Sequence, residues 1–352
     1  MKKIVLTFAL VLSCAALFAQ KLNKSEVKQL RAFLQQTSAT GETNYQLLEI
    51  SPKEKPTEWK GVTWKDGRVA AISWADKKLN GALSLSGFTA LTHLDCARNQ
   101  LISFSFSNCP SLAHIYVGRN IAKTLTIVKC PSVSRLECYR NRLTDLSLAD
   151  APALKVLNCF GNLLVELDVT NCPSLETLNT QSCRLEMLKV DSCANLKTLY
   201  CGYNQLTSLM LLGTSGLKYL NVENNRMESL VISKLESLVS LTCSGNHMTG
   251  LSLLDCNALM DLICSYNDLT EINLTGTNNL VFVDCSYNDL TTLNLSNRTM
   301  LQRVICSNNQ LNILDVSMCP NLLYVNCRNN HITDLRTIGD TNLQMVSAEW
   351  NY

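Results

Sequence analysis

An asparagine that returns every 21 residues constrains this chain more than any other feature. It stands at Asn99, Asn120, Asn141, Asn162, Asn204, Asn225, Asn246, Asn267, Asn288, Asn309, Asn330 and Asn351. Only the interval from Asn162 to Asn204 departs from the period, being twice as long, with Cys183 in the empty slot. Three residues before each position runs a second column: Cys96, Val117, Cys138, Cys159, Thr180, Cys201, Val222, Cys243, Cys264, Cys285, Cys306, Cys327 and Ala348. Leucine or an isostere precedes the asparagine by five and by eight residues, so one unit reads Leu259-x-x-Leu262-x-Cys264-x-x-Asn267-x-Leu269. A unit this short cannot bury its own apolar side, so it must stack on its neighbours as one coil of a solenoid.

Within a unit, a segment such as Leu262-Ile263-Cys264 alternates inward and outward side chains, which predicts a short strand. One strand per coil makes a parallel sheet with an apolar inner face. The inward asparagine predicts a buried amide ladder, donating and accepting toward backbone groups freed where the chain turns. A second apolar pair, such as Leu293 and Leu295, predicts a return strand opposite. A 21-residue coil leaves no room for a full helix there, so extended or 3-10 structure is expected. Twelve steps of about 4.8 Å predict a sheet about 60 Å long.

This pattern resembles the leucine-rich repeat. Its cysteine variant resembles the internalin family, the internalin J-like proteins with 21-residue cysteine-containing repeats above all. The resemblance covers residues 69 to 352. It implies a right-handed β-solenoid-like horseshoe with a parallel concave sheet, and adhesion to a protein on a host or neighbouring cell.

Seventeen cysteines would ordinarily suggest disulfides in an exported protein. Nine lie in the strand column, and Cys109, Cys130, Cys172, Cys193, Cys256 and Cys319 share a second column. In both columns Val, Thr, Ala or Leu substitutes for cysteine, and none of these can bridge. The expectation is a core of free thiols acting as small packing residues. No CxxC occurs, which disfavours zinc.

The two ends do not repeat. Lys2 and Lys3, the apolar run Ile4 to Phe18, and Ala19 read as a signal peptide over residues 1–19. Val11-Leu12-Ser13-Cys14 is the competing lipobox, disfavoured because the apolar run continues past Cys14. Export to the outside, the outer cell surface or the periplasm is therefore expected, with no transmembrane segment after signal removal. Residues 20–68 are expected to form a helical cap and lead-in segment, opened by an Asn23–Glu26 capping box with Val27, Leu30, Phe33 and Leu34 on one face. Residues 69–90 form a degenerate first repeat, with Lys77 in the asparagine slot, and residues 91–352 the tandem repeats. The last coil is expected to be incomplete, with an anchoring or sorting segment downstream.

The core columns specify fold, so function must be sought at outward positions. We assign these to residues two and four before each asparagine and to those beside the inward leucine. Tyr116, Tyr139, Tyr200, Tyr203, Tyr219, Tyr266, Tyr287 and Tyr324 are expected there, with Phe160, Phe282 and Trp350. Exposed aromatics in a row favour binding, because they offer contact area at low entropic cost. The bland alternative, that tyrosine prefers strands, does not explain why the return strands carry almost none. Arg98, Arg119, Arg135 and Arg140, with His93 and His114, add positive charge to the first coils and suit an acidic patch on a partner. His93 and His114 lack a third ligand column, so no metal is expected. There is no phosphate loop, no HExxH and no converging nucleophile and base. The expected protein is a recognition module without catalysis or cofactor, binding a protein rather than nucleic acid. A glycan-binding module using the tyrosine row and a structural spacer are the alternatives.

Overall fold

The computed structural model describes residues 21–352 apart from Ala39, Ala149, Asp150, Ser233 and Tyr352. The segment read as a signal peptide and Cys14 lie outside the described residues. One sheet of fifteen strands runs the length of the molecule. Apart from its first, antiparallel pair, every pairing is parallel, with three-residue strands in a register such as Leu241↔Leu262 and Leu262↔Val283. The central residue of each repeat strand up to Tyr324–Asn326 is buried and its two flanks are less so, as period-two alternation requires, whereas in the last strand, Met345–Ser347, the central Val346 is exposed. The opposite side is built from four smaller sheets of two or three parallel strands.

The asparagine ladder joins coils through backbone. Asn267 Nδ2 donates to the carbonyls of Cys264 and Cys243, both at 3.1 Å, and its Oδ1 accepts from the Met248 N–H. The same three partners, spaced 3, 24 and 19 residues back, recur at Asn120, Asn225 and Asn330. Thus each amide ties its own turn to the coil before it. At Cys183 the sulfur alone replaces this set, donating to the Cys159 carbonyl at 3.4 Å.

All described cysteines are free and buried. The second cysteine column holds Thr214 and Thr277 in two coils, and there the return side is interrupted at 208–210 and reduced to a single Ser252–Asn273 bridge. The hydroxyls of Thr214 and Thr277 bond the carbonyls of Leu211 and Leu274 within their own turn. The Cys256 thiol reaches back 24 residues to the Ile232 carbonyl instead.

The amino-terminal edge is covered twice. Strands β1 (Val62–Lys65) and β2 (Arg68–Ser73) form an antiparallel hairpin that closes the long sheet. Its Asp66-Gly67 turn has φ of 50° and 73°, the two positive angles a tight hairpin needs. On the return side the first strand, β3 (Asn80–Ser86), meets three amides. Asn44, Gln36 and Gln29 each donate to and accept from the backbone of one residue, Asn80, Ala82 and Ser86 respectively. These side chains stand where a neighbouring strand would. Two are carried on or just after helix α1 (Lys24–Leu34), the third on α2 (Asn44–Leu47). Phe33 of α1 stacks on Trp74 at 5.4 Å.

The capping box expected at Asn23 and Glu26 is only half formed. The Asn23 side chain accepts the Glu26 N–H, but the Glu26 carboxylate turns inward to Arg68 and to the Val69 N–H. At 1 % exposure that carboxylate must be paired, and the hairpin supplies both partners.

Candidate binding surface

The outward positions fall into two rows, not one. The repeat strands carry His93, Asp95, His114, Tyr116, Arg135, Glu137, Tyr200, Tyr219, Phe282, Asp284 and Tyr324 on the long sheet. Tyr203, Tyr266, Tyr287 and Trp350 are absent from it, as are Arg98, Arg119 and Arg140. These seven immediately precede the asparagine slot, past the end of their strands, and every one has φ between 50° and 64°. This corrects their expected placement. The turn that carries the chain off the sheet requires a left-handed residue, and the residue before the asparagine supplies it. Elsewhere in this column Gly161, Asn224, Gly245, Asn308 and Asn329 take the position, the residue types that tolerate it best. Tyr139 and Phe160, one residue earlier, are half-buried at the rim between sheet and turn.

Neighbouring side chains determine what the two rows can offer. Tyr266 and Tyr287 stack face to face at 4.3 Å with 9° between planes, while remaining 57 % and 46 % exposed. Partial desolvation and the neighbouring Tyr287 hydroxyl raise the Tyr266 pKa. On the sheet, Arg303 lies 5.1 Å over Phe282 and 5.9 Å from the Tyr324 ring, linking three adjacent strands by cation–π contacts. Arg135 is engaged by Glu137 at 2.9 Å, and Arg140 rests 5.5 Å over Phe160. His93 contacts His114 edge-on at 6.1 Å and Tyr116 at 5.3 Å. Among the described residues no group of three or more His, Cys, Asp or Glu is placed to hold a metal.

The thiols behave as filler, with one exception. Burial pushes Cys201 and Cys243 up to about 12, and Cys264 and Cys306 well above the ordinary thiol value. Cys183 is held below it, by hydrogen bonding with the Cys159 thiol and by the N–H groups of Asn162, Gly161 and Leu164. A groove of about 750 Å³ on the return side is lined by Asn273, Asn294, Arg298 and Asp315 among others. Sequence reasoning passed over it, because it arises from the interrupted return strand beside Thr277. Arg303 was missed too, although aligning it with Tyr324 in the 21-residue register would have found it.

No protein-family model matches the sequence, and no curated relative does. Solved structures are similar in fold. The leucine-rich effector YopM from Yersinia pestis shares 24 % identity over 80 % of this chain and 78 % of its own, with a TM-score of 0.66. The internalin InlF from Listeria monocytogenes shares 19 % over 93 % and 96 %, with a TM-score of 0.61. The fold is a leucine-rich-repeat solenoid. Among the described residues, no helix of this internalin-like solenoid is long and apolar enough to cross a membrane.

Proposed function

We propose that the protein is an exported recognition module that binds a protein partner across the outward face of its long sheet. One observation carries the reading. Aromatic side chains sit outward on the long sheet at Tyr116, Tyr200, Tyr219, Phe282 and Tyr324, whereas the outward positions of the return strands hold none. Strand preference alone would populate both sides. Tyr200 and Tyr219 lie on adjacent strands, 36 % and 43 % exposed. Around them Thr177, Asn179, Thr198, Asn221, Ser240 and Thr242 make an uncharged belt. Tyrosine set among Asn, Ser and Thr is the composition of adaptable protein-binding surfaces.

The test is affinity capture from surface-protein extracts of candidate host or neighbouring cells. The native protein is compared with a Tyr200→Ala, Tyr219→Ala variant, and retained proteins are quantified by mass spectrometry. The reading expects a protein retained by the native chain and depleted about tenfold or more by the variant, the loss typical of truncating two central anchors. Indistinguishable capture profiles would overturn it.

A further inference from the structure

The turn beside the long sheet carries charge that no ion pair among the described residues neutralises. Two residues flank every ladder asparagine there, the left-handed one before it and the one after. From the coil of Asn99 to that of Asn225, these flanking positions include Arg98, Arg119, Arg140, Arg142, Arg184 and Arg226, and no Asp or Glu. All six arginines are exposed. Among the described residues none lies within ion-pairing distance of a carboxylate. Arg98, Arg119 and Arg140 stack on successive coils about 4.8 Å apart, where like charges repel. They do so at φ of 56°, 56° and 50°, a conformation better served by Gly or Asn. Neither backbone geometry nor core packing selects arginine at these positions. The row ends abruptly: His247 meets Asp268 at 3.9 Å, and Asp289 follows one coil later.

We propose that this ridge binds a linear acidic polysaccharide, a chain of sugars bearing carboxylate or sulfate groups at regular intervals. The ridge is about 30 Å long, being six coil steps, with its arginines in two neighbouring columns on either side of the ladder asparagine. Its arginines recur at one coil in the first part and at every second coil, about 10 Å, from Arg142 through Arg184 to Arg226. Those intervals are comparable with the length of one sugar and of a disaccharide. Duplex DNA carries a charge about every 1.7 Å of axis, far denser than this row. Single strands require a series of stacking platforms; of the ridge aromatics Phe160 is already covered by Arg140, which leaves Tyr203, 52 % exposed, as a lone platform. An extended acidic peptide presents same-face carboxylates about every 6.8 Å, out of step with either interval. Between the arginines lie Gly161, Ser182 and Gln205, small or amide groups that let a sugar chain approach and hydrogen-bond. The proposal is independent of a protein partner on the sheet face.

Titration calorimetry of the whole protein against polygalacturonate, heparin, poly-glutamate and oligothymidylate tests it. The variant is Arg142→Gln, Arg184→Gln, Arg226→Gln, since Gln100, Gln205 and Gln310 already occupy the same register. A control, Lys155→Gln, Lys197→Gln, Lys218→Gln, removes equal charge from the strand-leading edge. The native protein is expected to bind polygalacturonate or heparin more tightly than the peptide or the oligonucleotide. The arginine variant should bind it about tenfold or more weakly, with a shallower salt dependence. The lysine control should stay within about twofold of native, because screening confines each charge to its own surroundings. Circular dichroism melts of both variants report that the fold is intact. No binding of either polysaccharide, an unchanged arginine variant, an equal loss in the lysine control, or tighter binding of poly-glutamate or oligothymidylate would each overturn the proposal.

Discussion

The amide of a ladder asparagine closes hydrogen bonds in two coils at once, so its removal strands buried backbone groups on both. Each buried group left without a partner costs about 1–3 kcal/mol. The chain contains its own exception at Cys183. There the thiol donates to the Cys159 carbonyl and the ladder's strong acceptor for the Leu164 N–H is replaced by sulfur. We predict that Cys183→Asn stabilises the protein by about 1–2 kcal/mol, by restoring the amide's donors and its acceptor. A rise in the urea midpoint checks this, and a fall would show that the local packing is built around sulfur.

Among elements, the cap solves a problem peculiar to parallel solenoids. The first strand of the return side would expose an edge ready to pair with another chain. Asn44, Gln36 and Gln29 occupy that edge with paired donors and acceptors, at 2.7 to 3.0 Å. A side-chain amide presents the same N–H and C=O pair as a peptide, which is why three of them can stand in for a strand. Gln36→Ala is predicted to leave the Ala82 N–H and C=O unpaired and to cost about 1–3 kcal/mol. Because each repeat contacts only its neighbours, the loss should be local. Hydrogen exchange at Ala82 should accelerate, while amides of the central coils such as Met248 keep their protection; uniform acceleration would refute the strand-substitute role.

At the scale of the whole molecule, buried thiols make stability depend on alkaline pH. In the unfolded chain they ionise near their ordinary value, whereas Cys201 and Cys243 do so only near about 12 when folded. Above about pH 9 the unfolded state therefore binds fewer protons than the native state, and stability falls as pH rises. Their stabilising effect is complete below the unfolded pKa and is lost through the folded one, by up to about 1.4 kcal/mol per thiol per pH unit. Urea midpoints measured at about pH 8 and about pH 10 should drop with pH in the native protein. The drop should be smaller in a Cys201→Val, Cys243→Val variant, since Val117 and Val222 already occupy that column. Equal slopes would show that these thiols do not carry the dependence.

The period, the inward columns, the buried amide ladder and the unbridged cysteines were all legible from residue order, because repetition averages away local ambiguity and exposes what every coil must satisfy. Three features were not. The repeat spacing cannot reveal that the residue before each asparagine lies past the strand in a left-handed turn. That left-handed turn is set by how carbonyls and N–H groups meet between coils, and it moved Tyr203, Tyr266, Tyr287 and three arginines off the strand face. Nor can it show that amides on two helices replace a strand, because those contacts join residues up to 57 positions apart. The pairing of charges, Lys197 with Glu176 one coil away but, among the described residues, none of the ridge arginines with a carboxylate, exists only where side chains from different coils are brought to the same height. Composition along one coil determined the core; only the stacking of coils decided which outward groups satisfy one another and which are left for a partner.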